Sequence, residues 1–490
     1  MTKVVPLAVA VFLLAAAALP ARAADEPKKE PDQVSYYRDI RPLFVVHCQG
    51  CHQPAKPQGG YVMTSHADLL KKGDSAKPSV VAGKPEQSHL IEQITPQGGK
   101  AAMPKGKPPL SARDINLIKK WIAQGARDDT PASARAVIDM EHPPKYALPP
   151  VITALAFSPD GKLLAVSGHH ETLIHNADGS GLVARLVGLS ERIQSLAFSP
   201  DGKLLAMAGG SPWRFGEVQV WDVAAKKLKL SATSTFDTLY GVSWSPDGSK
   251  IAFGCADNNV RAIDTATGKQ VVQMGTHTDW VLGTCFSRDG NYIVSVSRDR
   301  SMKLTEVATE RFIDNITSIT PGALKGGLMA VARRPRSDNR MQKVPPDTPK
   351  AKPKPYDEVL CGGSDGTPRL YMIHREKKRV IGDDFNKVKD YEPMPGRICA
   401  VAFSPDGSLG AAGSSLGGTG EVRVFGIDDG KRVAKFDSTG PVYALAWHPD
   451  GKTVAVGGFD GTVRLYEART GKLVRQFVPV PLNGASTAVK

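Results

Sequence analysis

The spacing of apolar positions changes once along the chain, near residue 150. In YYRDIRPLFVVHCQGCH (36–52), Ile40, Leu43, Phe44 and Val46 recur at helical spacing. Pro42 is tolerated in a first helical turn, where N–H groups lack partners anyway. The pattern therefore predicts a helix that begins near Asp39 and runs into the cysteine pair. A short helix is expected near SHADLLKKG (65–73). LSARDINLIKKWIAQGA (110–126) is more plainly amphipathic, with Ile115, Ile118, Trp121 and Ile122 in one stripe. Ser111 suits its N-cap, Asp114 the positive end of the helix dipole, and Gly125 a left-handed stop. These elements predict a small all-α domain over 34–128, with Trp121 and Phe44 in its core. Residues 129–150, containing several prolines, read as a linker.

From residue 151 the period falls to two. Short alternating runs meet Pro-Asp-Gly turns: SPDG at 158, 199, 245 and 404, SRDG at 287 and HPDG at 448. Asp160, Asp201, Asp247 and Asp289 are 41, 46 and 42 residues apart, and Asp406 and Asp450 are 44 apart. The gap of 117 between Asp289 and Asp406 fits two repeats plus an insertion. A basic, Pro-rich stretch at about 333–357 supplies that insertion, and a disordered surface loop is expected there. Each repeat offers four strands too short to bury a core alone. Seven such repeats predict an all-β, seven-bladed propeller over 151–480, and hence a multidomain chain.

These repeats resemble the WD family, through VWDV (220–223) and the SPDG turns ahead of its strands. The resemblance implies that His277, Ser295 and Asp299 hydrogen-bond inside the fourth blade, as structural residues. Thr305 stands where the family has Trp, so that network is expected to be incomplete. His169, His170 and His175 are expected at a solvated surface. Cys255, Cys285, Cys361 and Cys399 are expected as small buried hydrophobes on inner strands, with a disulfide among them left open.

Composition adds limits. The chain has 490 residues, 41% of them apolar and 23% charged, and a mean hydropathy of −0.23. Residues 1–23 read as a signal peptide: Lys3, an apolar run from Val4 to Leu19, then Ala21-Arg22-Ala23. That run is too short to span a bilayer, so no transmembrane span is expected after cleavage. The mature protein is expected to be exported, periplasmic or extracellular, where disulfides and covalent haem are both permitted. Cleavage lowers the formal charge from +14 to +12 by removing Lys3 and Arg22. An acidic protein partner suits that balance; nucleic acid is not expected for an exported chain.

HCQGCHQP (47–54) carries the chemistry. A disulfide between Cys48 and Cys51 would leave the adjacent histidine unexplained. Zinc needs four ligands, and no other cysteine precedes residue 255. One c-type haem (heme c) needs little else: Cys48 and Cys51 add across its vinyl groups, and His52 reaches the iron. Met103, Met63 and His66 are candidates for the opposite face; His47 lies on the preceding helix and is poorly placed, and His89 is the domain's remaining histidine. YYRDIRPLF…CQGCH, SVVAGKPEQSHLIEQI, MPKGKPPLS and LIKKWIAQGA resemble the planctomycete-type cytochrome c domain, class I-like in order. That resemblance implies Cys48 and Cys51 as attachment points, His52 as proximal ligand and Met103, on an extended segment, as distal ligand. Lys100, Lys105 and Lys107 flank Met103, with Lys71 and Lys72 elsewhere.

The expected function is electron transfer by an exported monohaem cytochrome, with the propeller as a docking platform for a protein or polymer. The competing reading is an oxidoreductase whose propeller holds substrate or a second cofactor. No nucleophile elbow, paired HxxE motif or histidine cluster of convincing spacing in the propeller points to a catalytic set.

Overall fold

The computed structural model describes residues 33–482 apart from 54–55, 132–137, 319–323, 336–337, 379, 381 and 383. The expected signal peptide lies outside the described residues. None of the described helices is long and apolar enough to cross a membrane.

The first domain is helical and small. Its chain enters through one wide turn, Tyr36–Ile40, in which the Ile40 N–H reaches back to the Ser35 carbonyl at 3.2 Å. Ser35 and Asp39 cap that turn reciprocally: the Ser35 hydroxyl accepts from Arg38 N–H, and Asp39 accepts from Ser35 N–H. Helix α1 (Arg41–His47) follows, with Pro42 in its first turn. Helical backbone thus starts at Tyr36, three residues before the expected Asp39, as the wide turn capped by Ser35, and α1 itself starts two residues after it, with Pro42 in its first turn. Helix α2 (His66–Leu69) is capped by Ser65. Helix α3 (His89–Ile94) was not apparent from periodicity; its six residues are too few to show one. Helix α4 (Ala112–Ala123) is capped by Ser111 and stops at Gly125, whose φ is +95°. The core joins Tyr36, Ile40, Phe44, Met63, Leu69, Ile94, Ile118, Trp121 and Ile122, all at most 2% exposed.

The second domain is built of antiparallel meanders. Five sheets of four strands cover 239–274, 281–315, 328–390, 397–438 and 442–477. A seven-stranded sheet precedes them: β3 (Leu155–Phe157), β4 (Leu163–Ser167), β5 (His169–Asn176), β6 (Leu182–Phe198), β7 (Leu204–Ser211), β8 (Phe215–Asp222) and β9 (Lys227–Thr235). The 17-residue β6 pairs with β5 over 182–192 and with β7 over 192–198. The first strand of each meander contacts that of the next, from β3 through the far half of β6 to Val442–Trp447 and back to β3. The Ser-Pro-Asp-Gly turns fold as expected. In the first, the Ser158 hydroxyl donates to Asp160 at 2.6 Å, Asp160 accepts from Lys162 N–H, and Gly161 takes φ +71°.

Three expectations change. Residues 138–150 do not behave as a free linker. Tyr146 is 6% exposed, donates to Glu171 at 2.7 Å, and pairs through one bridge with Leu482. The insertion is not a disordered loop in its described part: Gln342 N–H bonds Lys354 O, and Tyr356 N–H bonds Arg340 O, both at 2.8 Å. Arg340 lies 3.8 Å over the Tyr356 ring and Lys354 4.0 Å over Tyr292, contacts to partners distant in sequence. His175 is 4% exposed rather than solvated, and its Nε2 meets the Pro479 carbonyl at 2.9 Å.

Candidate functional site

The anchor segment leaves α1 through a tight turn. Cys51 and His52 N–H both reach the Cys48 carbonyl at 3.1 Å. His52 and Gln53 then form β1 (His52–Gln53), paired with β2 (Lys56–Pro57). Met63 N–H returns to the His52 carbonyl at 2.9 Å, and the Gln49 amide donates to the Met63 carbonyl at 2.7 Å. Backbone bonds on both sides therefore fix the position of His52.

Its ring is fixed as well. Nδ1 lies 3.1 Å from the Tyr61 carbonyl, which can only accept, so Nδ1 carries the proton and Nε2 keeps its lone pair. The Tyr61 ring packs edge-on against the imidazole, with centroids 5.7 Å apart. Burial lowers the pKa of His52, and the backbone carbonyls of Tyr61 and Gln58 oppose that shift. A neutral imidazole whose Nε2 keeps its lone pair is the state a metal requires.

Cys48 and Cys51 are free thiols. Cys48 packs at the edge of the helical core, together with Met103 and Tyr61. Its sulfur sits in apolar surroundings although the residue is half-buried, and burial pushes the thiol up to about 12. The charge of Lys107 opposes that shift and also lowers the pKa of His47, after the larger effect of burial. The Met103 loop thus lies over the end of α1. It turns rather than extends: Lys107 N–H bonds the Pro104 carbonyl, and Gly106 has φ +74°.

The other candidate ligands are engaged elsewhere. His66 Nε2 donates to the Ala126 carbonyl at 2.7 Å, and its ring sits edge-on to Tyr36 and Trp121. His89 faces Glu92 at 2.9 Å, and Lys77 shares that carboxylate. Met63 is 2% exposed within the core. Two free sulfurs, an oriented imidazole and a half-buried thioether against the same core are a donor set that fits a haem. Among the described residues of the helical domain, the Tyr36 hydroxyl and the Gln53 amide nitrogen are buried without a partner.

In the second domain, His277 does bridge Ser295 through Nε2 and Asp299 through Nδ1, each at 2.8 Å. Thr305 Oγ1 is buried without a partner, where a larger donor would have reached the network. Periodicity did not indicate a second network beside β9. Trp221 Nε1 donates to Gln219 at 2.8 Å, Gln219 donates to Glu217, and Ser190 and Ser231 also donate to that buried carboxylate. Cys255, Cys285, Cys361 and Cys399 are free thiols; only Cys285 and Cys399 lie on first strands, the other two on second strands.

The two domains touch at β9. Thr233 donates to the Val46 carbonyl at 3.0 Å, and Gly50, inside the anchor turn, lies against Ser231.

Comparison with known proteins agrees with this division. Residues 48–106 match the family Planctomycete cytochrome C. Residues 146–175 and 268–305 match the WD domain, G-beta repeat, and residues 212–283 and 419–481 match the Anaphase-promoting complex subunit 4 WD40 domain. The chain thus joins a cytochrome-type segment to a set of WD repeats. It is similar to Serine-threonine kinase receptor-associated protein of Gallus gallus, 19% identical over 48% of this chain and 68% of that protein. It is also similar to Periodic tryptophan protein 2 of Arabidopsis thaliana, 22% identical over 53% of this chain and 25% of the relative. Actin-interacting protein 1 of Drosophila melanogaster is 26% identical over 48% of this chain and 34% of its own length. Two of these three relatives are therefore matched over about a third of their length or less.

Proposed function

We propose that the protein is an exported c-type cytochrome that carries single electrons and uses a seven-bladed propeller as its docking platform. The observation that carries this reading is His52: its Nδ1 is held by the Tyr61 carbonyl, which leaves Nε2 its lone pair, directly after two unpaired cysteines in the chain. When bound, haem supplies a one-electron couple. Cys48 and Cys51 would hold it covalently, and His52 and Met103 would ligate its iron. Tyr61 keeps the imidazole in one tautomer and orientation, and the apolar rim of Met103, Cys48 and Tyr61 excludes water.

The seven blades follow from counting β6 twice, as the last strand of one meander and the first of the next. The closed circuit of first strands supports the same count. Lys100, Lys105 and Lys107 are exposed and have no ion-pair partner among the described residues, which suits an acidic redox partner. WD repeats serve as interaction platforms, and two of the relatives carry association in their names.

Visible spectra of the mature protein, purified from a host able to attach haem, test the reading in both oxidation states. One haem per chain that survives acid-acetone extraction, with a weak red-edge band from the thioether ligand, is the expected result. A colourless protein would remove the electron-transfer assignment.

A further inference from the structure

The strand that seats the helical domain also covers a buried charge. Thr233 on β9 donates to the Val46 carbonyl at the end of α1. Gly50, between the two cysteines, lies against Ser231: a Cβ there would stand 3.7 Å from the Ser231 hydroxyl oxygen. Across the ladder, Gln219 on β8 pairs with Ser231, and Glu217 with Thr233. Residues directly opposite share a face of a sheet, so the Glu217 carboxyl lies on the face that meets the cysteine turn.

Glu217 is fully buried. Its Oε2 accepts from Ser190 Oγ and Gln219 Nε2, each at 2.7 Å, and its Oε1 accepts from Ser231 Oγ. Trp221 Nε1 can only donate, so Gln219 receives it at the amide oxygen and turns its nitrogen to Glu217. Three donors suit an ionised carboxyl, which only accepts. All three come from neutral side chains, and no Lys, Arg or His pairs with Glu217 among the described residues. A charge held this way, out of water and without a counter-ion, is felt further than one on the surface.

We propose that Glu217, a residue of the second domain, lowers the reduction potential of the haem in the first. The inference rests on the haem reading above. Cys48 and Cys51, the attachment points of that reading, flank the glycine that lies on Ser231, and Ser231 binds the carboxylate. Loss of an electron adds one positive charge at the iron, so a fixed anion behind the cysteine turn favours the oxidised state. Glu217 touches neither the haem nor its ligands and acts through its field alone. The propeller is then part of the redox centre as well as its dock.

Spectroelectrochemical titration of the haem-loaded full chain tests it, after covalent haem has been counted. Glu217→Gln keeps the bulk and removes the charge, and the Ser190 hydroxyl can turn to accept from the new amide. The variant is expected to shift the reduction equilibrium roughly three- to tenfold towards the ferrous form, tenfold being about 59 mV for one electron. The shift is expected to persist at high salt, because the charge is buried. Ser231→Ala keeps the charge and loosens the same contact, and is expected to move the equilibrium less than twofold. Glu217→Met is a second neutral variant should the amide not fold, as circular dichroism would reveal. An unmoved potential, a shift that salt abolishes, an equal shift in Ser231→Ala, or loss of the fold in both neutral variants would overturn the proposal and leave the haem reading standing. A chain without covalent haem would overturn that reading, and this inference with it.

Discussion

Gly50 and Ser231 meet across the boundary between the two domains: a Cβ on Gly50 would stand 3.1 Å from the Ser231 carbonyl oxygen. Gly50 lies inside the cysteine turn, and Ser231 on β9 donates to the buried Glu217. A branched side chain at 50 would push the anchor off the sheet without touching the helical core. Gly50→Val is expected to leave haem content unchanged and to speed proteolytic cleavage in 129–141 severalfold. Unchanged cleavage would show that the domains are held together elsewhere.

Met103 is expected to set the redox behaviour of the loaded protein. Met103→Leu keeps the bulk and removes the thioether. The ferrous form of that variant is expected to bind carbon monoxide stoichiometrically, its potential to fall, and the red-edge band to vanish. The same substitution at Met63, buried in the core beside it, is expected to change stability by less than about 1.5 kcal/mol and leave the spectrum alone.

His277 is expected to matter for stability and not for chemistry. Burial alone would raise the Asp299 pKa, but hydrogen bonds from His277, Ser301 and Thr278 N–H outweigh it and hold the carboxyl far below its usual range. A folded pKa below the unfolded one gives stability that is present above about pH 4 and fades as pH falls further. His277→Ala is expected to cost roughly 2–4 kcal/mol at neutral pH, because it leaves a buried carboxylate short of a donor. It is also expected to flatten the acid limb of a denaturation profile.

Asp357 is the opposite case. It is 2% exposed, and burial raises its pKa to about 6 despite Arg333 at 4.0 Å and the Arg288 N–H it accepts. A carboxyl with a raised folded pKa is an unfavourable charge above pH 6, and the penalty fades as pH falls from about 6 towards 4. Asp357→Asn keeps the acceptor for Arg288. It is expected to stabilise the protein by about 1–3 kcal/mol at pH 7.5 and by little at pH 4.5, read by denaturant unfolding.

What the sequence disclosed followed from the range of each interaction. The Ser158–Asp160 turn and its copies are settled within five residues, so they were legible, as was the Ser111 cap of α4. Cys48, Cys51 and His52 could be picked out as a set because their spacing is itself the signal. Tyr146 looked like linker because its partner, Glu171, lies in a strand 25 residues on. The insertion read as disordered because Tyr292 and His374, which hold Lys354 and Gln342, lie outside it. The turn after Met103 differed from the expected extended segment because Gly106 takes a positive φ, which a Pro-rich stretch alone does not reveal.

The unbroken backbone of β6 has a mechanical consequence. It splices the first two meanders, so they cannot part without tearing a ladder. The ends of the circle share no strand. They are joined by the Ile152 N–H to Gly458, by His448 to the Gly161 carbonyl, and by the small clamp of Tyr146, Leu173, Val480 and Leu482. A pull on the two termini loads that seam first, and the bracelet opens there while every link around it stays whole.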